Sequence, residues 1–570
     1  MNAWDNLNNN DEYDIVVIGA GGAGMSAAVF ATMKGAKVLL VERTEYVGGT
    51  TAFSAGTTWI PNTHHAASVG AFNDTKDKAK HYLNIVIGEK ADQAMLDAFL
   101  DAGPIAVEEI EQNSSVRYRA RPFHPDYQSE EQDSTLCGRA LEPLPFDGRL
   151  LGQRFKLVRP PIPEFTVLGG MMIDRDDITQ LLNLTKNIKS FCYSTKLLAR
   201  HVMDKLRYPR GTRLVMGNAL IASLLYSLDK RQVPILLETE MTQLLTDEQG
   251  ISGVELTHQG NTKKIKVKGG VILASGGFNR NIERRKHLAP TIDINWCPGA
   301  PGHTAQAHVV AEKLGAVYGD INGPTNCFWA PVSTRKRADN SIAVFPHFIL
   351  DRGKPGMITL NQRGERFVNE STSYHRFGLA QQTTNSIPSY LITDTEGLRK
   401  YGLGMVRPGG KKLQPFLADG YLIQGNTIAE LARKLGIDPA KTAQSIAQMN
   451  EYAKTGNDLQ FARGTTDYQR ANGDAFNKPN PNLGTITQPP FYAVRLYPGD
   501  IGACTGFATN TNAQVLNANK QVINKLYAVG NDMQSIMGGT YPGPGITLGP
   551  GLAFAWIAAN HAVQSSAKNS

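Results

Sequence analysis

Three apolar runs, far apart in the chain, end on glycine. Tyr13–Gly24 reads YDIVVIGAGGAG, Val271–Phe278 reads VILASGGF and Lys525–Asp532 reads KLYAVGND. Apolar runs of this length bounded by glycine predict buried strands. The first is followed by a helical stretch, Met25–Lys34, and then by a second apolar strand, Lys37–Val41, that stops at Glu42. A helical tail is predicted after Phe554. The densest basic stretch, Lys196–Arg213, carries Leu197, Leu198, Val202 and Leu206 among its cations. It reads as a solvated helix face, with a helix lying on a membrane surface as the rival reading. No run of about 18 or more apolar residues offers a transmembrane helix.

Length adds to this picture. A chain of 570 residues exceeds what one core usually serves, so a large domain plus at least one more is expected. Its 41% hydrophobic and 19% charged residues are those of a globular protein. Met1–Glu12 is polar and acidic and lacks the pattern of a secretory signal, so a cytoplasmic location is expected. The formal charge of +8 is spread without a basic block interleaved with stacking aromatics, which argues against a nucleic-acid partner. Cys137, Cys192, Cys297, Cys327 and Cys504 form no CxxC pair and no metal-ligand spacing, so they read as mostly buried thiols and no metal is expected. His64 and His65 read as ordinary surface or core residues and receive no role.

The first glycine run carries chemistry. Gly19, Gly21 and Gly24 have the GxGxxG spacing between a strand and a helix. The first permits a tight turn, the second lets the backbone approach a pyrophosphate, and the third lets helix and strand pack closely. Glu42 ends the next strand 18 residues past Gly24, where a carboxylate can accept ribose hydroxyls. NAD and FAD share this fingerprint, so it does not by itself choose between them.

The following residues carry a resemblance that does. Arg43–Gly56 reads RTEYVGGTTAFSAG, and its Gly-Gly-Thr-Thr turn resembles the second phosphate and flavin contact of the fumarate reductase/succinate dehydrogenase flavoprotein superfamily. VILASGGF resembles the strand that returns beneath the FAD in that superfamily, and Gly538–Trp556, reading GGTYPGPGITLGPGLAFAW, resembles its flavin-capping segment. The resemblance implies an α/β fold: a Rossmann-type FAD-binding domain made from residues 1–331 and 499–570, with an α+β catalytic domain inserted at 332–498. It also implies FAD contacts at Gly19, Gly21, Gly24, Glu42, Arg43, Gly49, Thr50, Thr51, Ser54, Gly56, Gly276, Gly530, Asn531, Gly549 and Leu552. Covalent flavin in this superfamily uses a His near the Gly-Gly turn, and Gly49–Gly56 contains none, so a non-covalent FAD is expected.

Within the superfamily, TYPGPGITLGP at 540–550 resembles the signature of 3-ketosteroid Δ1-dehydrogenases. Pro489–Gly506, RFVNESTSYHR at 366–376 and PDY at 125–127 resemble further segments of that family. Residues 145–215, with RPPIPEFTVLGGMM and RGTRLVMGNAL, are longer than in the compact steroid enzymes and resemble long-form members, to which cyclohexanone-type dehydrogenases are similar. The resemblance therefore implies desaturation beside a ring ketone, a small-molecule cyclic ketone as substrate and an external electron acceptor. Tyr541 and the Gly545 amide match the positions that polarise the ketone, Tyr374 the general base, and Tyr127 its helper. His375, beside Tyr374, is a rival base because its reference pKa of about 6.5 suits the task better. A fumarate-like reductase and a flavin-binding redox sensor are the alternative functions. Against the first stands the lack of any Arg, Lys or His between Gly530 and Phe554 that could pair with a dicarboxylate.

Overall fold

The computed structural model describes residues 3–319, 323–348 and 351–568. The three apolar runs lie side by side. Strand Glu12–Ile18 pairs in parallel with Val38–Val41 on one side and with Asn261–Leu273 on the other, placing Val16 opposite Leu39 and Val271. Asn261–Leu273 in turn pairs in parallel with Val522–Ala528, placing Val271 opposite Leu526. Ile235–Leu236 joins outside Val38–Val41, and Gln514–Leu516 closes the other edge. Strands buried on both faces need side chains that are apolar throughout, which is why these runs do not alternate with polar residues.

One face of the sheet is covered by helix Gly22–Met33 and the C-terminal helix Leu548–Lys568, which pack on each other. The first has the sequence GAGMSAAVFATM and is buried over most of its surface. Small residues let it approach its neighbours closely: a Cβ on Gly24 would stand 2.0 Å from the Gly19 carbonyl oxygen. It begins at Gly22, three residues before the sequence places it, because Gly21 is its N-cap and the glycine turn is already its first turn.

A second sheet has the order Ile342–Pro346, Cys327–Lys336, Phe491–Ala503, Ser389–Asp394, Met357–Leu360, with Ile423–Gly425 also pairing to Phe491–Ala503. Positions 332 and 498 both lie within strands, and those strands form one antiparallel ribbon in which Pro331 faces Pro498 and Val332 faces Tyr497. A small third sheet, Thr58–Trp59, Ala140–Pro143 and Tyr118–Ala120, has its first strand against Gly545 and Gly549.

Residues 145–215 leave and rejoin the body at one point, closed by Phe146 facing Leu214 and Asp147 facing Arg213. Helix Ile188–Lys205 runs along this excursion. Leu197 is buried, whereas Val202 and Leu206 are exposed beside the cations, so the face is less polar than a plain solvated one. Arg210 is buried, donates to Asn218 Oδ1 at 2.9 Å and stacks its guanidinium over Phe155. Cys297, Cys327 and Cys504 are buried, Cys137 is half-buried and Cys192 exposed. Among the described residues no helix is long and apolar enough to cross a membrane.

Candidate active site

The glycine turn is shaped as a cradle. Gly19 has φ +111°, and a Cβ there would stand 2.2 Å from the Ala274 carbonyl oxygen, so only glycine permits this strand to pass the VILASGGF strand. Gly21 differs: a Cβ built on it meets nothing within 4 Å, so its backbone borders open space at the helix N-terminus. Glu42 is held beside this opening, its carboxylate accepting from Ala20 N at 2.9 Å, Thr44 N at 2.9 Å and Thr44 Oγ1 at 2.7 Å. Thr51 Oγ1 accepts from Gly22 N at 3.2 Å, tying the Gly-Gly-Thr-Thr turn to the same helix end. Thr50 Oγ1 accepts from Ala300 N at 2.8 Å, and Ser54 Oγ accepts from Gly56 N at 3.0 Å. Gly49 lies against Gly21. The Arg43 side chain turns toward Thr304 and Glu240.

Two participants come from positions the sequence does not single out. Asp532 is fully buried and gathers Gly277 N at 2.8 Å, Ser275 Oγ at 2.8 Å, Ser275 N and His308 Nε2 at 2.7 Å. Burial works against its ionised form, but His308 and these donors outweigh it and hold the carboxyl below the usual range. This carboxylate locks the turn after VILASGGF to the turn after KLYAVGND, and so fixes Gly276, Gly530 and Asn531. His303 is buried against Gly276 and Thr50, and its Nδ1 has no hydrogen-bond partner among the described residues. Burial pulls its pKa down to about 4.

A cleft runs from Gly530 and Asn531 past Pro550 and Gly551 to Phe328 and Ile546. Gly549 seats the capping helix there, since a Cβ on it would stand 1.9 Å from the Trp59 carbonyl oxygen. Leu552 is buried one turn further on. Together with the open space at Gly21 and the orphaned His303 nitrogen, this glycine-lined path fits an extended dinucleotide whose phosphates meet a helix N-terminus.

Beside Phe328 the three tyrosines meet. The Tyr127 hydroxyl donates to the Tyr374 oxygen at 3.0 Å. The Tyr541 ring stacks on Tyr127 at 5.6 Å and meets Tyr374 edge-on at 5.1 Å and Phe328 at 5.2 Å. Tyr374 opens a helix, Tyr374–Thr383, capped by Ser373. Tyr541 sits in a loop held by Pro542, whose carbonyl accepts from Tyr82 hydroxyl at 2.7 Å and Tyr127 N at 2.8 Å. Gly545, at φ +96°, presses on Thr57, where a Cβ would stand 2.2 Å from the carbonyl oxygen. Next to Tyr127 in the chain, Asp126 accepts from Trp59 Nε1 at 2.8 Å and from Arg139 at 2.8 Å, and Arg139 also binds Asp74.

Burial pushes the phenols of Tyr374 and Tyr127 well up; Tyr127 and Tyr541 raise Tyr374 further, and Tyr541 raises Tyr127. For Tyr127 the hydrogen bond to Tyr374 works the other way, and so does Arg352, which is fully buried and donates to the carbonyls of His347, Glu370 and Thr372. His375 is placed otherwise. Its Nε2 bonds the Gly539 carbonyl at 2.9 Å and its Nδ1 accepts from Trp329 N at 3.2 Å, and burial lowers its pKa to about 4. Both ring nitrogens are used by the backbone.

A model described as the FAD binding domain matches residues 14–548. The chain belongs to this FAD-binding family. FAD is its cofactor, and it is a flavin-dependent oxidoreductase. Over 565 residues it is 35% identical to the 3-oxosteroid 1-dehydrogenase of Mycolicibacterium smegmatis, covering 96% of each chain. It is 34% identical to the 4-oxocyclohex-2-ene-1-carboxylate 5-dehydrogenase of Sinomonas cyclohexanicum, covering 96% of this chain and 92% of that one. The 3-ketosteroid Δ1-dehydrogenase of Sterolibacterium denitrificans, solved with 1,4-androstadiene-3,17-dione, superposes with a TM-score of 0.90 at 31% identity, covering 98% of this flavoprotein and all of that chain.

Proposed function

We propose that this flavoprotein introduces a C=C bond next to a ring ketone. The observation that carries the reading is the meeting of Tyr127, Tyr374 and Tyr541 beside Phe328, at the cleft opened by the flavin-capping helix. A carbon next to a carbonyl releases a proton only if charge can gather on the oxygen. The Tyr541 hydroxyl and the Gly545 amide are assigned to hold that oxygen. Tyr374 takes the α proton, and Tyr127, hydrogen-bonded to it at 3.0 Å, is the route by which that proton passes outward. Bound FAD supplies the acceptor for the hydride that leaves the β carbon.

The remaining residues position the cofactor and the ring. Glu42 receives the ribose hydroxyls and the turn of Gly19, Gly21 and Gly24 receives the pyrophosphate. Gly49, Thr50, Thr51, Ser54, Gly56, Gly276, Gly530, Asn531, Gly549 and Leu552 would hold the phosphate and flavin part of FAD, and Arg43 the adenosine part. The flavin is held without a covalent bond. Relatives named for a 3-oxosteroid and for an oxocyclohexene carboxylate share one group, a ketone in a six-membered ring, and that group is what we carry to this chain. An external electron acceptor is the expected second substrate.

Anaerobic titration of the holoenzyme with a 3-ketosteroid and with cyclohexanone tests this, read by the absorbance of oxidised flavin. Bleaching by either ketone, reversed by an artificial acceptor with turnover, is expected. No bleaching by either would overturn the reading and leave a sensor or a reductase.

A further inference from the structure

His64 and His65 follow strand Thr58–Trp59 and begin the short helix His65–Ser68, while Glu111 belongs to the long helix Gln93–Asn113. Folding brings the three together away from the tyrosines. His64 Nε2 lies 3.1 Å and His65 Nε2 2.8 Å from the same oxygen, Glu111 Oε2. The two imidazole rings are 4.1 Å apart, and one ligand atom from each residue lies within 4.8 Å of the others. The carboxylate is fixed from behind, because Oε1 accepts from Tyr118 N at 2.7 Å. His64 is half exposed, so solvent reaches the group, whereas the His65 and Glu111 side chains are only 15% and 10% exposed.

Ligand atoms bound at about 2.0–2.2 Å and roughly 90–110° apart around one ion stand about 2.8–3.6 Å from one another. The two nitrogen–oxygen separations match that spacing. Two imidazoles and one carboxylate suit a borderline divalent ion such as Zn2+, whereas Ca2+ and Mg2+ call for oxygen alone. A ligating carboxylate oriented by an outer hydrogen bond is a usual feature of such sites. We propose that His64, His65 and Glu111 bind a divalent transition-metal ion of the Zn2+ class, with its remaining positions open to water. The ion would join the segment behind Thr58–Trp59 to helix Gln93–Asn113. Trp59 and Thr57, two residues before it, are the backbone against which Gly549 and Gly545 seat, so the clamp would stiffen the support of the capping segment without touching the reacting atoms.

Zn2+ itself is the probe. Holoenzyme is dialysed against low micromolar free Zn2+ and analysed for bound metal, alongside the double variant His64→Ala/His65→Ala and Glu111→Gln. The wild type is expected to retain about one Zn2+ more than the double variant, and Glu111→Gln to bind at least about tenfold more weakly. Zinc should raise the melting temperature of the wild type and leave that of the double variant unchanged, a comparison that holds even if the variant starts less stable. Equal zinc in wild type and double variant would overturn the proposal.

Discussion

Tyr374 is surrounded by groups that oppose its ionisation, burial first and then Tyr127 and Tyr541. A base is active only when deprotonated, and a raised pKa moves the active form to higher pH. The rate should therefore climb with pH through the neutral and mildly alkaline range, with kcat/KM rising about tenfold per unit below the reference tyrosine value of about 10. A profile that falls above neutrality would argue for a base of a different kind. Tyr374→Phe keeps the ring and should lower turnover by about 100-fold or more while ketone binding survives, as measured by steady-state kinetics and ligand titration. Retained turnover in that variant would move the role elsewhere. The segment RFVNESTSYHR is what singles out Tyr374 in the sequence as a candidate base. The choice between Tyr374 and His375 was not legible, because it turns on backbone partners at Gly539 and Trp329 that no spacing discloses. Arg352 was hidden for the same reason: an isolated arginine becomes notable only when folding buries it beside Tyr127 and Tyr374.

Among elements, the glycine-ended strands were legible because burial on both faces leaves a long apolar run. Helix ends were less so, since the start at Gly22 depends on a capping geometry and not on periodicity. Asp532 escaped notice inside KLYAVGND because its importance lies in binding Ser275 and Gly277 across more than 250 residues. Glu111 was likewise invisible beside His64 and His65. The seating of the capping helix gives a test at this scale. Gly549→Ala would press a Cβ against the Trp59 carbonyl oxygen, where the available gap is 1.9 Å, so helix or strand must move. Overpacking of this kind costs about 1–3 kcal/mol and occasionally more. A lower melting temperature and a reduced ratio of flavin to protein absorbance are expected. A variant with wild-type values of both would contradict the seating described here.

At the scale of the whole molecule, the flavin sheet draws its strands from both ends of the chain, and the three tyrosines come from three separate segments. We propose the division into residues 1–331 and 499–570 for the flavin and 332–498 for the inserted catalytic part, joined by the antiparallel ribbon through Pro331 and Pro498. Replacing Glu42 by Ala removes the proposed ribose acceptor, and flavin should then be lost on dialysis more readily than from wild type. Unchanged flavin content would count against that role. The central claim is that closing this fold places Tyr541 where a ketone oxygen acquires charge. Its hydroxyl should matter more in the transition state than in the ground state. Loss of one such donor costs roughly 2.7–4 kcal/mol, so the direct measurement is the anaerobic rate of flavin bleaching by a cyclic ketone in Tyr541→Phe. The account predicts a fall of about 100- to 1000-fold with flavin content intact. A flavin-replete Tyr541→Phe enzyme that bleaches at the wild-type rate would contradict it.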